Sequence, residues 1–125
     1  MDILFLIGRI LFSLIFIASG FKHLKEFTHT VEEVKKAKTP FPKLSAALMS
    51  LFALVGGLSV AFGFYSNIGA FLLLIFLLPT TFIVHRFWGL PDDQKLIQSV
   101  HFFKNLSLLG ATLMILYFGS GPFSL

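Results

Sequence analysis

From Leu44 to His85 the chain carries no Lys, Arg, Asp or Glu. That run is about twice the roughly 20 residues one helix needs to cross a bilayer. Phe64-Tyr65-Ser66-Asn67 is its one polar turn, so the pattern predicts two membrane helices joined by a tight hairpin. A soluble domain of 125 residues has to clothe itself in polar side chains, and this stretch offers too few to do so. Two further apolar segments flank it. The predicted spans are about 3–21, 44–64, 67–84 and 102–118, with Arg9 interrupting the first and Lys104 near the start of the last. Pro79 predicts a kink in the third, because it lacks an N–H and its ring crowds the preceding turn. Residues 1–125 therefore read as one all-α domain, a polytopic membrane protein built as a four-transmembrane-helix bundle.

The polar segments set the expected orientation. Residues 22–43 hold Lys22, Lys25, Lys35, Lys36, Lys38 and Lys43, and residues 85–101 hold Arg86 and Lys95. The hairpin turn and the Gly119–Leu125 tail have no Lys or Arg. By the positive-inside rule both basic loops are cytoplasmic and both termini lie on the non-cytoplasmic side. The N-terminal segment is read as a retained helix rather than a cleaved signal, since no basic residue precedes its apolar run. Within the first loop, Thr30-Val31-Glu32-Glu33 fits a capping box, with Glu32 and Lys36 set to pair at i,i+4. Thr39-Pro40-Phe41-Pro42 then ends that short helix and aims the chain into the second span.

Composition narrows the chemistry. Apolar residues make up 56% and charged residues 13%, about half the usual charged share. There is no cysteine, which removes disulfides, thiol catalysis and Cys-ligated clusters. The net charge of +4 does not point to nucleic acid, because it is confined to loops beside the spans. Anionic lipid is the nearer partner there. His23, His29, His85 and His101 form no i,i+3 or i,i+4 pair and no span holds a carboxylate, so no metal site is expected. A multi-pass protein of the cell (inner) membrane is the reading these facts support.

Three groups of residues are candidates for roles within the bilayer. Ala53, Gly56, Gly57 and Ala61 in the second span, and Gly110 in the fourth, are expected to let helices approach closely. Arg9 lies two turns into the first span with Ser13 one turn on. Burying such a charge costs at least roughly 2.5 kcal/mol. Its expected partners are Asp2, the Leu125 carboxylate, a lipid headgroup reached by snorkelling, or an anionic or carbonyl-bearing ligand. At the other end, His85, Trp88, Lys104 and Asn105 lie at the depth of Lys22. They form a basic, aromatic-rimmed vestibule in which Lys104, Ser107, Ala111, Asn105 and Thr112 make one polar sector. An interfacial belt of anchors explains Trp88 and Arg86. It explains Asn105 less well, because a buried amide needs a partner.

These motifs, taken in order, resemble the DoxX family of small four-helix bacterial membrane proteins. Gly8-Arg9-Ile10 followed by Ser19-Gly20-Phe21-Lys22 is similar to its opening. Pro40-Phe41-Pro42, Gly56-Gly57-Leu58 with Gly63, His85-Arg86-Phe87-Trp88, and Phe103-Lys104-Asn105-Leu106 with Leu109-Gly110 follow. The glycine-rich tail also fits. The chain departs in carrying Ala53 where many relatives carry Glu, which removes a candidate acid–base group. The resemblance implies a redox association, with electron chemistry on a bound quinone or on the cofactor of a redox partner protein.

The leading expectation is thus a quinone-associated redox subunit, with Arg9, Ser13, Lys22, His85, Trp88, Lys104 and Asn105 as ligand-binding candidates. The alternative is a non-catalytic anchor that recruits soluble redox or detoxification enzymes to its basic loops, alone or as a homo-oligomer. A small transporter or lipid-binding protein ranks third, since the spans offer no carboxylate for ion coupling.

Overall fold

The computed structural model describes residues 2–84 and 88–121. His85, Arg86, Phe87 and the Leu125 carboxylate, all invoked above, lie outside the described residues. Among those described there are five α-helices and one π-helical turn: α1 (Asp2–Lys25), α2 (Phe27–Lys36), α3 (Pro42–Phe62), α4 (Ser66–Pro79), the π turn Thr80–Val84, and α5 (Asp92–Phe118). Four segments are long and apolar enough to span a bilayer: α1, α3, α4 continued through the π turn, and α5. The short α2 lies between the first two.

The surface is inverted relative to a soluble protein. Phe118 and Tyr117 are 74% and 82% exposed, and Ile3, Leu11, Phe62 and Phe71 also face outward. Buried positions instead include Arg9, Ser13, Ser50, Thr81, Asn105 and Thr112. With lipid outside, apolar side chains have no reason to hide and polar ones must find partners inside. The apolar core is small: Phe16, Ala53, Val60, Leu73, Phe76 and Leu77.

Local rules explain the boundaries. Gly63 takes a left-handed φ of 68° at the end of α3. Its N–H bonds the Val60 carbonyl at 3.2 Å and the Phe64 N–H bonds the Ser59 carbonyl at 3.0 Å. This is a Schellman termination, and the Ser59 hydroxyl fastens the turn to the Phe64 carbonyl at 2.6 Å. Pro42 occupies the first turn of α3, where its missing N–H costs nothing. At Pro79 the α-helical bonding of the third span gives way to the wider π turn, because proline cannot donate the next i→i−4 bond.

Two expectations are corrected. The Thr30 capping box does not form: α2 already begins at Phe27 and Thr30 is inside it. The Thr30 hydroxyl donates to the carbonyls of His23 and Glu26, at 3.0 and 3.1 Å. It satisfies the orphan His23 carbonyl in the last turn of α1 rather than a free amide at the start of α2, while the Glu26 carbonyl also takes the Thr30 backbone N–H, and so ties the two helices at their bend. The ion pair in α2 is His29–Glu33 at 3.8 Å, not Glu32–Lys36. The helix that carries the fourth span is longer than the predicted span of about 102–118. α5 begins at Asp92, with Asp92 and Asp93 in the first turn. Those carboxylates complement the helix dipole. A helix of 27 residues reaches about 40 Å, so its charged start can project beyond the roughly 30 Å hydrocarbon layer.

The spans pack as an arc in the order α1, α3, α4, α5, with extensive contact between neighbours and little between α1 and α5. A seam therefore runs between the first and last spans. Small residues close the other joints. A Cβ on Gly20 would come within 2.7 Å of the Leu54 backbone N. One on Gly57 would meet Ile17 and Phe16 of α1, and one on Gly56 would meet Leu73 and the Gly69 carbonyl of α4. Ala53 is fully buried and Ala61 half-buried on the same helix. Gly110 differs. It is exposed, and a Cβ there would meet nothing within 4 Å, so it mediates no close approach within this chain.

Candidate functional site

Two cavities open along the α1–α5 seam, one toward each end of the bundle. The larger, about 760 Å³, lies at the end that carries the basic loops. Its floor is apolar, with Phe16 from α1, Met49 from α3, and Phe76 and Leu77 from α4. Its rim is polar: Lys22 and His23 at the end of α1, His29 and Glu33 from α2, and His101 and Lys104 from α5. The α2 helix crosses this mouth because its buried face, Val31 and Val34, packs on Ala46 of α3.

Asn105 is the telling residue in this cavity. It is 4% exposed and lines the space with its carboxamide. Among the described residues it has no hydrogen-bond partner. Two other buried hydroxyls of the bundle are satisfied within their own helices, whereas among the described residues that of Thr81 is not. Ser50 donates to the Ala46 carbonyl at 2.7 Å and Thr112 to the Leu108 carbonyl at 2.7 Å. The amide atoms of Asn105 are not sealed away from the cavity, so two donors and one acceptor are available to a volume of ligand size. The rim is charged, with Lys22 and Lys104 set among Glu26 and Glu33. Its one ion pair among the described residues is His29–Glu33, so neither Lys22 nor Lys104 is neutralised by a carboxylate there. The cavity thus combines an apolar body, a hydrogen-bonding amide and a rim of two lysines and two glutamates.

The smaller cavity, about 390 Å³, lies toward the termini and is almost wholly apolar. Leu4, Gly8 and Phe12 of α1 face Ala111, Met114 and Ile115 of α5 across it. Arg9 lines its edge and is 4% exposed. Its guanidinium Nη1 donates to the backbone carbonyl of Ser120. The segment after α5 makes this contact by turning back over α1. Gly119 and Gly121 hold φ of 82° and 71°, and a side chain on Gly121 would collide with the Phe5 ring.

The seven sequence candidates therefore separate. Lys22, Lys104 and Asn105 meet in the larger cavity. Arg9 is at the opposite end of the seam. The Ser13 hydroxyl donates to the Arg9 carbonyl at 2.9 Å, so it caps its own helix turn and does not assist the guanidinium. Trp88 packs edge-on against Phe102 at 5.6 Å and does not line the cavity. His85 lies outside the described residues. Sequence reasoning missed the Ser120 carbonyl and the part taken by α2. The signal for the first was Gly-Ser-Gly, a spacing that frees the backbone to fold across a neighbour.

Comparison with known proteins agrees with this architecture. No solved structure gives a significant match. The Escherichia coli K12 inner membrane protein YphA is 32% identical over 123 residues, covering 98% of this chain and 88% of that protein. The inner membrane protein YqjF of the same organism is 27% identical over 124 residues, covering 99% and 90%. The chain is a multi-pass protein of the cell membrane, as its four apolar helices and these relatives indicate. The DoxX family model matches residues 4–86, which takes in the three spans that pack most closely. With two thirds of its length matched by that model and a relative aligned end to end, the chain belongs to the DoxX family.

Proposed function

We propose that the protein is a quinone-binding membrane subunit that serves a redox partner. The observation that carries this reading is the buried, open carboxamide of Asn105 at the wall of the large cavity. A quinone carbonyl accepts from its N–H, and Lys104 and Lys22 favour the negative charge that develops on oxygen during reduction. Phe16 and Leu77 supply the apolar face for the ring. Electrons come from a partner protein's cofactor, docked at the basic-loop end, which on loop charge is the cytoplasmic side. Arg9 and Ser13 lie outside this head-group site.

A second reading is supported by the exposed Lys35, Lys36, Lys38 and Lys43 around α2. They suit anionic lipid or an acidic soluble partner, so the chain would act as an anchor. One experiment separates the two. The protein is drawn from its membrane into native lipid discs, and co-purified quinone and proteins are measured by mass spectrometry. The quinone reading expects retained quinone in the wild type and a roughly tenfold loss in Asn105→Leu at matched abundance, equivalent to about 1.4 kcal/mol. Partner proteins retained with no quinone in either sample would replace it with the anchor reading.

A further inference from the structure

We infer that the two cavities are head and tail ends of one groove, so that the ligand is a long-tailed amphiphile whose tail lies between α1 and α5. The inference rests on the head-group reading above and extends it to a part of the molecule that reading does not use. Both spaces are lined by α1 and α5 and follow one another along that seam. On α1 the large cavity ends at Ile15 and the small one begins at Phe12, three residues away. The rings of Phe12 and Phe16, one from each lining, touch with centroids 5.1 Å apart. On α5 the large cavity ends at Leu108 and the small one begins at Ala111. From Asn105 to Ile115 the seam covers about 15 Å of helix.

The chemistry changes along this line as an amphiphile's does. Cations and the open amide stand at one end, and the other is lined by Leu4, Phe12, Ala111, Met114 and Ile115. Beside the far end lies the Gly119–Gly121 segment, held by the Arg9–Ser120 bond and packed on Phe5, which itself lines the small cavity. A head fixed at Asn105 therefore has an apolar groove ahead of it. A polyisoprenoid or similar tail fits this groove, whereas a short polar ligand leaves it unused.

Gly8 gives a clean probe. It lines the small cavity, and a Cβ there meets nothing within 4 Å. Gly8→Leu thus fills tail space with no backbone collision and raises helix propensity. Affinities are measured for a tailless benzoquinone and for the same ring bearing a long isoprenoid tail. Wild type, Gly8→Leu and Asn105→Leu are compared in identical lipid discs, so that partition into lipid cancels. The expected result is a roughly tenfold loss for the tailed ligand alone in Gly8→Leu, as when about two methylenes lose their place, and a loss for both ligands in Asn105→Leu. If Gly8→Leu leaves tailed binding unchanged while Asn105→Leu weakens both, the tail runs into bulk lipid and the groove is refuted with the head site intact. Equal weakening of both ligands by Gly8→Leu also overturns it. If neither quinone binds the wild type, the head-group reading itself falls.

Discussion

At the joint between α1 and α3, Gly20 lies so close to Leu54 and the Ser50 carbonyl that a Cβ would come within 2.8 Å of either. On the α1–α5 side, Gly8 of the same helix has nothing within 4 Å. One residue type in one helix thus serves opposite ends. Lipid gives helices little hydrophobic reason to associate, so they cohere where small residues allow backbones to touch. Where that closeness is absent, as along the seam, space and unpartnered polar groups remain. The packed side holds the bundle together, and the open side has room for a ligand.

The strongest way to break this comparison is Gly20→Val. The obstruction is backbone rather than a yielding side chain, so α1 and α3 must separate. Overpacking of this kind costs about 1–3 kcal/mol and more where backbone has to move. Membrane abundance and thermal unfolding in mild detergent should both fall well below those of Gly8→Leu. Equal stability of the two variants would erase the distinction between the two sides.

A smaller effect is expected at Arg9, which joins the two sides at one end. Its hydrogen bond to Ser120 is charge-assisted, a class worth about 1.5–3 kcal/mol. Arg9→Leu should free the Gly119–Gly121 segment, read as faster amide exchange at Gly121 and Ser120. Arg9→Lys should restore part of the protection, since an ammonium can still donate to one carbonyl but lacks the planar fork. Unchanged exchange in Arg9→Leu would mean that the Gly121 contact with Phe5 holds the segment unaided.

The spans were legible because they depend on composition over long windows. The charge-free run from Leu44 to His85 and the polar turn Phe64–Asn67, which the structure shifts slightly to lie between Phe62 and Ser66, needed no tertiary knowledge. Ala53, Gly56 and Gly57 were also readable, since small residues recurring at helical spacing mark one face. Asn105 stood out because an anchor belt does not call for a buried amide. What escaped was everything set by contact between distant segments. Thr30 matched a capping box locally, yet the chain used its hydroxyl on the carbonyls of His23 in the previous helix and Glu26 at the bend. Arg9 was weighed against Asp2, the Leu125 carboxylate, a headgroup and a ligand, so the C-terminal segment was in view but not the Ser120 backbone carbonyl that it bonds, 111 residues away in sequence. The seam left no trace in the sequence, because an absence of contact has no motif.

The smallest effect concerns Gly110, and it tests where the packed side ends. Sequence placed this glycine among the packing residues, but its face of α5 is open. In an isolated chain, Gly110→Ala should stabilise α5 by up to about 1 kcal/mol, because Ala restricts the unfolded backbone and suits a helix interior. The measurement is the detergent unfolding midpoint, followed by the mass of the native particle. A small rise with unchanged mass would place Gly110 against lipid. A fall in stability together with a loss of mass would show that a second copy approaches α5 there as closely as α3 approaches Gly20. Lipid outside and a helix outside give opposite signs for the same added methyl, because a methyl that meets fluid acyl chains displaces nothing, whereas one that meets a backbone must push it away.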